Sequence, residues 1–237
     1  MTAFNITFKY LSKSFNQNLL FNIPELTIES GKCCLLSGIN GSGKSTLLKI
    51  LAGLETPNSV EIYFNNKKLE WKAACKQTHK EIIYLHQTPL MFDTTVENNI
   101  KYGMRKQGFP KNKLQELTNT ALQWADLTHI KNNNARMLSG GEKQRVALAR
   151  AYVLSPKILL LDEAFSNVDT QGRDRIFDQI CKLKEDGIGI ILTSHELSHT
   201  TSLADYHLQL EKTQLKELTD VNNTNDYEPA SLKLVNA

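Results

Sequence analysis

Gly38-Ile39-Asn40-Gly41-Ser42-Gly43-Lys44-Ser45 reads G-x-x-x-x-G-K-[ST], a phosphate-binding loop complete at every position. Just before it, Cys33-Cys34-Leu35-Leu36-Ser37 reads as a buried strand running straight into the glycines. Just after it, Ser45 to Ala52 carries Leu47, Leu48, Ile50 and Leu51, the pattern of a helix. Strand, loop and helix in that order form the setting such a loop requires. Chance gives roughly one bare match per hundred chains of this length, and the flanks lower that further. The glycines let successive N–H groups face a phosphate, and the helix start at Ser45 adds its dipole. Lys44 supplies a point charge to the β- and γ-phosphates, and the Ser45 hydroxyl is placed to ligate Mg²⁺. A nucleoside triphosphate is the implied ligand, on an α/β fold.

Further out, Phe4, Ile6, Phe8 and Tyr10 alternate with polar residues as a half-buried strand does. Glu25 to Ile28, Val60 to Phe64 and Ile82 to Leu85 read as further strands. The composition changes after Gln87, and residues 88–137 carry helical signals with little strand signal. Thr94-Thr95-Val96-Glu97 fits a capping box. Pro110 sits where a helix can start, and Leu114, Leu117, Ala121 and Trp124 follow at helical spacing. Asn132-Asn133-Asn134 is a loop, and Gly141 to Val153 is helical again. Ile158 to Leu161 and Ile188 to Leu192 read as central parallel strands, with a helix at about Arg173 to Lys184 between them.

Ile158-Leu159-Leu160-Leu161-Asp162-Glu163 is an apolar strand ending in two carboxylates, at the sheet edge where open α/β sheets bind ligands. Asp162 can hold Mg²⁺ through a water, and Glu163 can polarise a water for attack on the γ-phosphate. Leu138-Ser139-Gly140-Gly141-Glu142 opens the next helix, and a serine with two glycines at a helix start makes a second anion site of the same kind. Alone, that stretch reads better as an ordinary serine N-cap in a glycine-rich turn.

The whole-chain figures agree with a globular protein. Its 237 residues are 41% apolar and 22% charged, with a net charge of +3 and no block of like charge that marks a nucleic-acid surface. No apolar run approaches the ~18 residues of a membrane-spanning helix. Met1-Thr2-Ala3-Phe4-Asn5 lacks the layout of a secretory signal. Cys33, Cys34, Cys75 and Cys181 have no metal-ligand spacing and read as reduced thiols in a cytosolic protein.

Along residues 4–215 the chain resembles the ATP-binding subunits of ABC transporters. Leu138 to Glu142 matches that family's signature, usually LSGGQ, with Glu142 in the final place, and Gln144 to Ala151 continues the match. The resemblance implies an α/β P-loop ATPase with a mainly parallel core sheet, an N-terminal antiparallel β subdomain and a helical insertion. It implies one domain, with 1–87 and 151–215 forming the core, 88–150 the helical part with the signature, and 216–237 a polar tail. It implies that ATP lies on Gly38, Ile39, Asn40, Gly41, Ser42, Gly43, Lys44, Ser45 and Thr46, with Phe15 stacked on adenine. Mg²⁺ falls to Ser45, Asp162 and Gln87, and catalysis to Glu163, Lys44 and the switch histidine of Thr193-Ser194-His195-Glu196. Ser139, Gly140, Gly141 and Glu142 are expected to act in trans, and Asp169, in Ser166-Asn167-Val168-Asp169, to cross the dimer interface.

The implied protein is an ATP-hydrolysing importer subunit. It sits on the cytoplasmic face of the cell membrane, as a homodimer or with a paired ATPase. Its partners are an integral membrane permease and an extracytoplasmic substrate-binding protein, with no nucleic acid. The absence of an acidic tract in Asn132 to Met137 favours the importer form. Two rival readings are a soluble ABC protein acting on nucleic acid or ribosomes and a low-turnover regulatory subunit. The cargo is not written in an ATPase that never touches it, although His86 to Phe92, through Tyr102-Gly103, looks similar to importers of small oxyanions, tungstate especially. His79, His86, His129, His199 and His207 read as structural or surface residues.

Overall fold

Two antiparallel strands start the chain because a tight turn folds them together. β1 (Asn5–Phe15) and β2 (Asn18–Glu29) meet through Asn16 and Gln17, both left-handed at φ 47° and 68°. The computed structural model describes residues 4–166, 168–193 and 201–218. β3 (Cys33–Ser37) leads into α1 (Lys44–Leu51), and β4 (Ser59–Phe64), β5 (Lys67–Leu69), α2 (Trp71–Glu81) and β6 (Ile82–Leu85) follow. Next come α3 (Val96–Lys106), α4 (Lys111–Trp124) and α5 (Gly140–Tyr152), then β7 (Ile158–Asp162), α6 (Thr170–Glu185) and β8 (Gly189–Thr193). A hairpin of β9 (Tyr206–Glu211) and β10 (Gln214–Leu218) follows.

One sheet has the order β2-β1-β4-β5 and is antiparallel. The other has the order β10-β9-β3-β8-β7-β6, parallel except for β10. Every residue of β3, β7 and β8 is buried, as parallel strands covered on both faces require. Cys34, Leu36, Leu160 and Ile191 pack with α1 and the antiparallel sheet, through Leu47, Leu48, Phe8 and Ile23. Cys33, Leu35, Leu161 and Leu192 pack on the opposite side with Leu148 of α5 and Ile176 and Ile180 of α6. The adjacent Cys33 and Cys34 thus serve separate cores. All four cysteines are free thiols. Burial pushes the Cys33 thiol up to about 12. The helices α3, α4 and α5 enclose a third core around Ile100, Met104, Leu122 and Val146.

Several expectations change. Tyr10 does not continue the buried face of β1. Its φ is 52°, the pairing with β4 slips between Lys9 and Ser12, and the ring is 64% exposed while Leu11 takes the buried place. The cap of α3 is Thr95, not Thr94. Thr95 Oγ1 accepts the Asn98 N–H at 3.2 Å, and Glu97 turns instead to Lys101 at 2.7 Å. β2 is far longer than Glu25 to Ile28, and α2, β5, β9 and β10 have no counterpart in the sequence reading. β10 carries regular structure to Leu218, past residue 216 where the polar tail was expected. Among the described residues no helix is long and apolar enough to cross a membrane.

Candidate functional site

The parallel strands β3, β6, β7 and β8 deliver their C-terminal ends to one edge of the sheet. From β3 the chain turns through Gly38, where a side chain would have its Cβ 2.5 Å from the Leu210 carbonyl oxygen. Gly43 caps α1 at φ 106°, and a Cβ there would lie 2.8 Å from Leu20 of β2. The loop is thus clasped between two strands. Lys44 begins α1 and is only 7% exposed, with its Nζ donating to the Gly38 carbonyl at 2.7 Å and the Ile39 carbonyl at 3.2 Å. Burial draws its pKa down, against the raising effect of Glu163 and Asp162 nearby. The Ser42 hydroxyl is buried and finds no hydrogen-bond partner among the described residues. A buried polar group left so costs free energy until something fills the loop.

Asp162 ends β7 at 4% exposure and receives hydroxyl bonds from three directions. Tyr84 donates to Oδ2 at 2.8 Å, while Ser45 and Thr193 each donate to Oδ1 at 3.1 Å. Burial and then the Asp162 carboxylate push the Tyr84 phenol above its usual range. The next residue, Glu163, is left-handed at φ 51°, a conformation uncommon outside glycine. Its N–H donates to Thr193 Oγ1 at 2.9 Å, which fixes the bend. Its carboxylate Oε2 accepts from Gln87 Nε2 at 2.7 Å and from Ser166 Oγ at 3.1 Å.

Gln87 follows β6 and points both ways. Its side chain holds Glu163, and its carbonyl accepts from Gln144 Nε2 at 2.8 Å. Gln144 lies in α5 at 3% exposure, so one residue joins the carboxylate to the helical insertion. Gln87 was expected as a Mg²⁺ ligand; here its Nε2 donates to Glu163, the residue next to Asp162. Ser45 Oγ and Asp162 Oδ1 are hard oxygen donors 3.1 Å apart. Such a sparse oxygen set fits Mg²⁺, which keeps waters and draws further ligands from substrate phosphates.

Ser139 caps α5 in a reciprocal box. Its hydroxyl accepts the Glu142 N–H at 3.3 Å and donates to Glu142 Oε2 at 2.8 Å, and its own N–H donates to that oxygen at 2.9 Å. The Ser139 N–H bond holds the Glu142 carboxyl below its ordinary pKa. Asp169 caps α6 through the Gly172 N–H at 3.2 Å, and a Cβ on Gly141 would meet Val168 at 3.1 Å. Signature and Asp169 are therefore neighbours. No hydrogen bond among the described residues joins Ser139 to Glu142 with the Gly38 to Ser45 loop. Phe15 ends β1 with its ring 49% exposed. Asn167 and the tract Ser194 to Glu196, including His195, lie outside the described residues, as does His199.

The sequence reading missed Tyr84, Thr193 as a bridge, and Gln144. A phenol in the apolar run Ile82-Ile83-Tyr84-Leu85 was the one signal available for Tyr84. His207 is structural, 5% exposed with Nε2 2.7 Å from Ser37 Oγ.

The family profile described as ABC transporter matches residues 21–166. A ferric-ion import ATP-binding protein, FbpC 1, of Haemophilus influenzae is 30% identical over 214 residues, covering 90% of this chain and 64% of its own length. A sulfate/thiosulfate import ATP-binding protein, CysA, of Thermosynechococcus vestitus is 32% identical over 214 residues, covering 90% and 63%. The chain thus spans less than two thirds of the length of these curated relatives. Among solved structures, cbiO1 of Clostridium perfringens, part of the transporter complex cbiONQ, superposes with a TM-score of 0.80 at 24% identity, covering 89% of this chain and 86% of that one. A dimeric ATP-binding cassette in a post-hydrolysis state with ADP and Pi gives 0.79 at 24%, covering 91% and 99%. At these identities the two structures speak for the fold.

Proposed function

The chain belongs to the ABC transporter family, and from that premise we propose that it binds and hydrolyses MgATP as the motor subunit of a membrane importer. The observation that carries this reading is one sheet edge where Ser45 bonds Asp162 at 3.1 Å and Gln87 bonds the adjacent Glu163 at 2.7 Å, with Lys44 held at the loop carbonyls beside them. The triphosphate enters the loop and takes Lys44 Nζ from the Gly38 and Ile39 carbonyls. The buried Ser42 hydroxyl then gains an acceptor. Ser45 and Asp162 would hold Mg²⁺, which when bound neutralises charge on the β- and γ-phosphates. Glu163, on its strained bend, orients the attacking water once Gln87 releases Oε2. Phe15 stacks on adenine. His195 is assigned to the γ-phosphate on its motif alone.

Two copies face head to tail, so that each ATP lies between the phosphate loop of one and Ser139 to Gly141 of the other, with Asp169 crossing between. The exposure of Ser139 and Gly140 at a helix start supports this reading. Closure then depends on the γ-phosphate, which makes the pair a two-state switch.

The partner is a permease at the membrane's inner face, served by an extracytoplasmic binding protein. Its docking site is a cleft of about 530 Å³ bounded by Tyr84, His86, Pro89, Leu90, Ala147 and Arg150, next to Gln87. Leu90 is 85% exposed there. Arg150 donates to its carbonyl at 2.8 Å and stands 5.2 Å from the Phe92 ring centroid. The relatives are named for a ferric ion and for an oxyanion at similar identity, so they lend the tungstate lean no particular support.

Size measurement in ATP tests the composite site. Glu163→Gln should dimerise with ATP, and Glu163→Gln with Ser139→Arg should stay monomeric while still binding ATP. An ATP-dependent dimer in both would refute the trans arrangement.

A further inference from the structure

We propose that Lys13 is a positioning residue for the nucleotide base: its ammonium covers one face of Phe15 and leaves the other for adenine. The inference rests on Phe15 being the base-stacking residue.

Lys13 is a lysine in an unusual place. It lies inside β1 at 9% exposure, where lysines are seldom found without a partner. Its Nζ donates to Glu55 Oε1 at 2.6 Å and to the Thr56 carbonyl at 2.7 Å. Two of the three ammonium donors are thereby committed, and the charge is balanced. The same Nζ stands 4.7 Å over the centroid of the Phe15 ring, within cation–π range. Lys13 and Phe15 are two apart on one strand, and the pairing of β1 with β2 slips between Lys13 and Ser14. That irregularity comes two residues before the turn at Asn16 and Gln17.

Two consequences follow. An aromatic side chain as exposed as Phe15 loses rotamer freedom when a ligand stacks on it. Anchored by a buried cation, the ring is ordered before the base arrives. The cation also draws π-density toward its own side. The free face becomes less electron-rich, which reduces its repulsion with the face of a purine. Glu55 and Thr56 follow α1, the helix that the phosphate loop opens, so the base platform and the phosphate cradle share one support.

Titration calorimetry on the full chain separates base from phosphate. MgATP reports both, and magnesium tripolyphosphate reports the loop alone. Lys13→Met should weaken MgATP roughly two- to fivefold and leave tripolyphosphate unchanged. Lys13→Arg, which keeps a cation near the ring, should restore MgATP binding. Equal weakening of both ligands by Lys13→Met, or of neither, would overturn the proposal. Should Lys13→Met not fold, Lys13→Gln removes the charge while keeping a donor for Thr56 and gives the same comparison. Phe15→Ala tests the underlying reading. If it leaves the ATP-to-tripolyphosphate ratio unchanged, the role of Phe15 fails and this inference with it. If it lowers the ratio while Lys13→Met does not, the inference alone fails.

Discussion

Removing one oxygen from Tyr84 should expose how the carboxylate of Asp162 is held. Tyr84→Phe keeps the ring that packs against the core and stands edge-on to His86, with centroids 6.1 Å apart. It deletes only the 2.8 Å bond to Asp162 Oδ2. Asp162 is 4% exposed, so water cannot readily replace the lost donor. A hydrogen bond to a charged group is worth about 1.5–3 kcal/mol. For a chain of this size each kcal/mol moves Tm by roughly 2–4 °C, so the nucleotide-free variant should melt roughly 3–12 °C lower. The remaining donors, Ser45 and Thr193, both serve Oδ1, so neither covers the gap at Oδ2 without moving. With MgATP present the deficit should narrow, because a divalent charge beside Asp162 supplies the stabilisation the phenol gave. Differential scanning calorimetry with and without MgATP measures both. An unchanged Tm without nucleotide, or the same deficit in both conditions, would mean that the phenol does not hold Asp162 in this way.

Lys44→Ala should weaken ATP by roughly ten- to a hundredfold, through loss of a charge-assisted bond, whereas Glu163→Gln should still bind ATP and lose on the order of 10²–10⁴ in turnover. Equal ATPase rates in Glu163→Gln and the unaltered chain would remove Glu163 from the mechanism. Leu90→Ser and Phe92→Ser, at side chains 85% and 37% exposed, should keep ATPase activity in the purified subunit and lose transport in whole-cell uptake, while unchanged uptake in both would place the permease contact elsewhere. Met91→Ser is expected to lower Tm instead, since Met91 packs on the helical core. Burial lowers the pKa of His207, so its contribution is present above the unfolded value of about 6.5 and declines as pH falls from there toward the folded value. His207→Gln should therefore flatten stability below about pH 6.5, and a denaturation series over pH that keeps the wild-type slope would contradict this.

The parts legible in sequence were those where residue spacing and local geometry are the same thing. Lys44 to Leu51, Ile82 to Leu85 and the capped start of α5 are such cases. What escaped were features set by tertiary context. The Asn16-Gln17 turn lacks the glycine that flags a tight hairpin, so β2 was cut short. The bulge at Tyr10 exchanges the faces of β1, which no alternation rule foresees. In α2 only Ala74 and Thr78 are buried, too few for a helical stripe. The candidate site divides likewise. The loop and both carboxylates carry their chemistry in their order along the chain. Tyr84 and Gln144 have roles that arise only when β6, β7 and α5 are brought together.

Those late-found contacts bear on how the chain behaves without its ligand. Ser42 apart, the polar groups of the proposed mechanism that lie among the described residues already have internal partners. Lys44 takes loop carbonyls, Ser45 takes Asp162, Ser139 takes Glu142, and Glu163 takes Gln87 and Ser166. Ligand binding is then an exchange of hydrogen bonds, and its net gain comes mainly from charge and from the orphaned Ser42 hydroxyl. The exchange at Glu163 differs from the others, because its partner is also held from the far side. Gln144 keeps Gln87 in place by its carbonyl, and Gln144 moves only with α5, the helix whose first turn is the signature. Release of the water-orienting carboxylate is therefore mechanically tied to the helix expected to meet the second ATP. In the proposed head-to-tail pair, a lone subunit holding ATP would keep that tie, and the facing subunit's nucleotide would be what pulls it away. On the proposed function, Gln87 and Gln144 would restrain idle hydrolysis together with Ser166, the other donor to Glu163 Oε2.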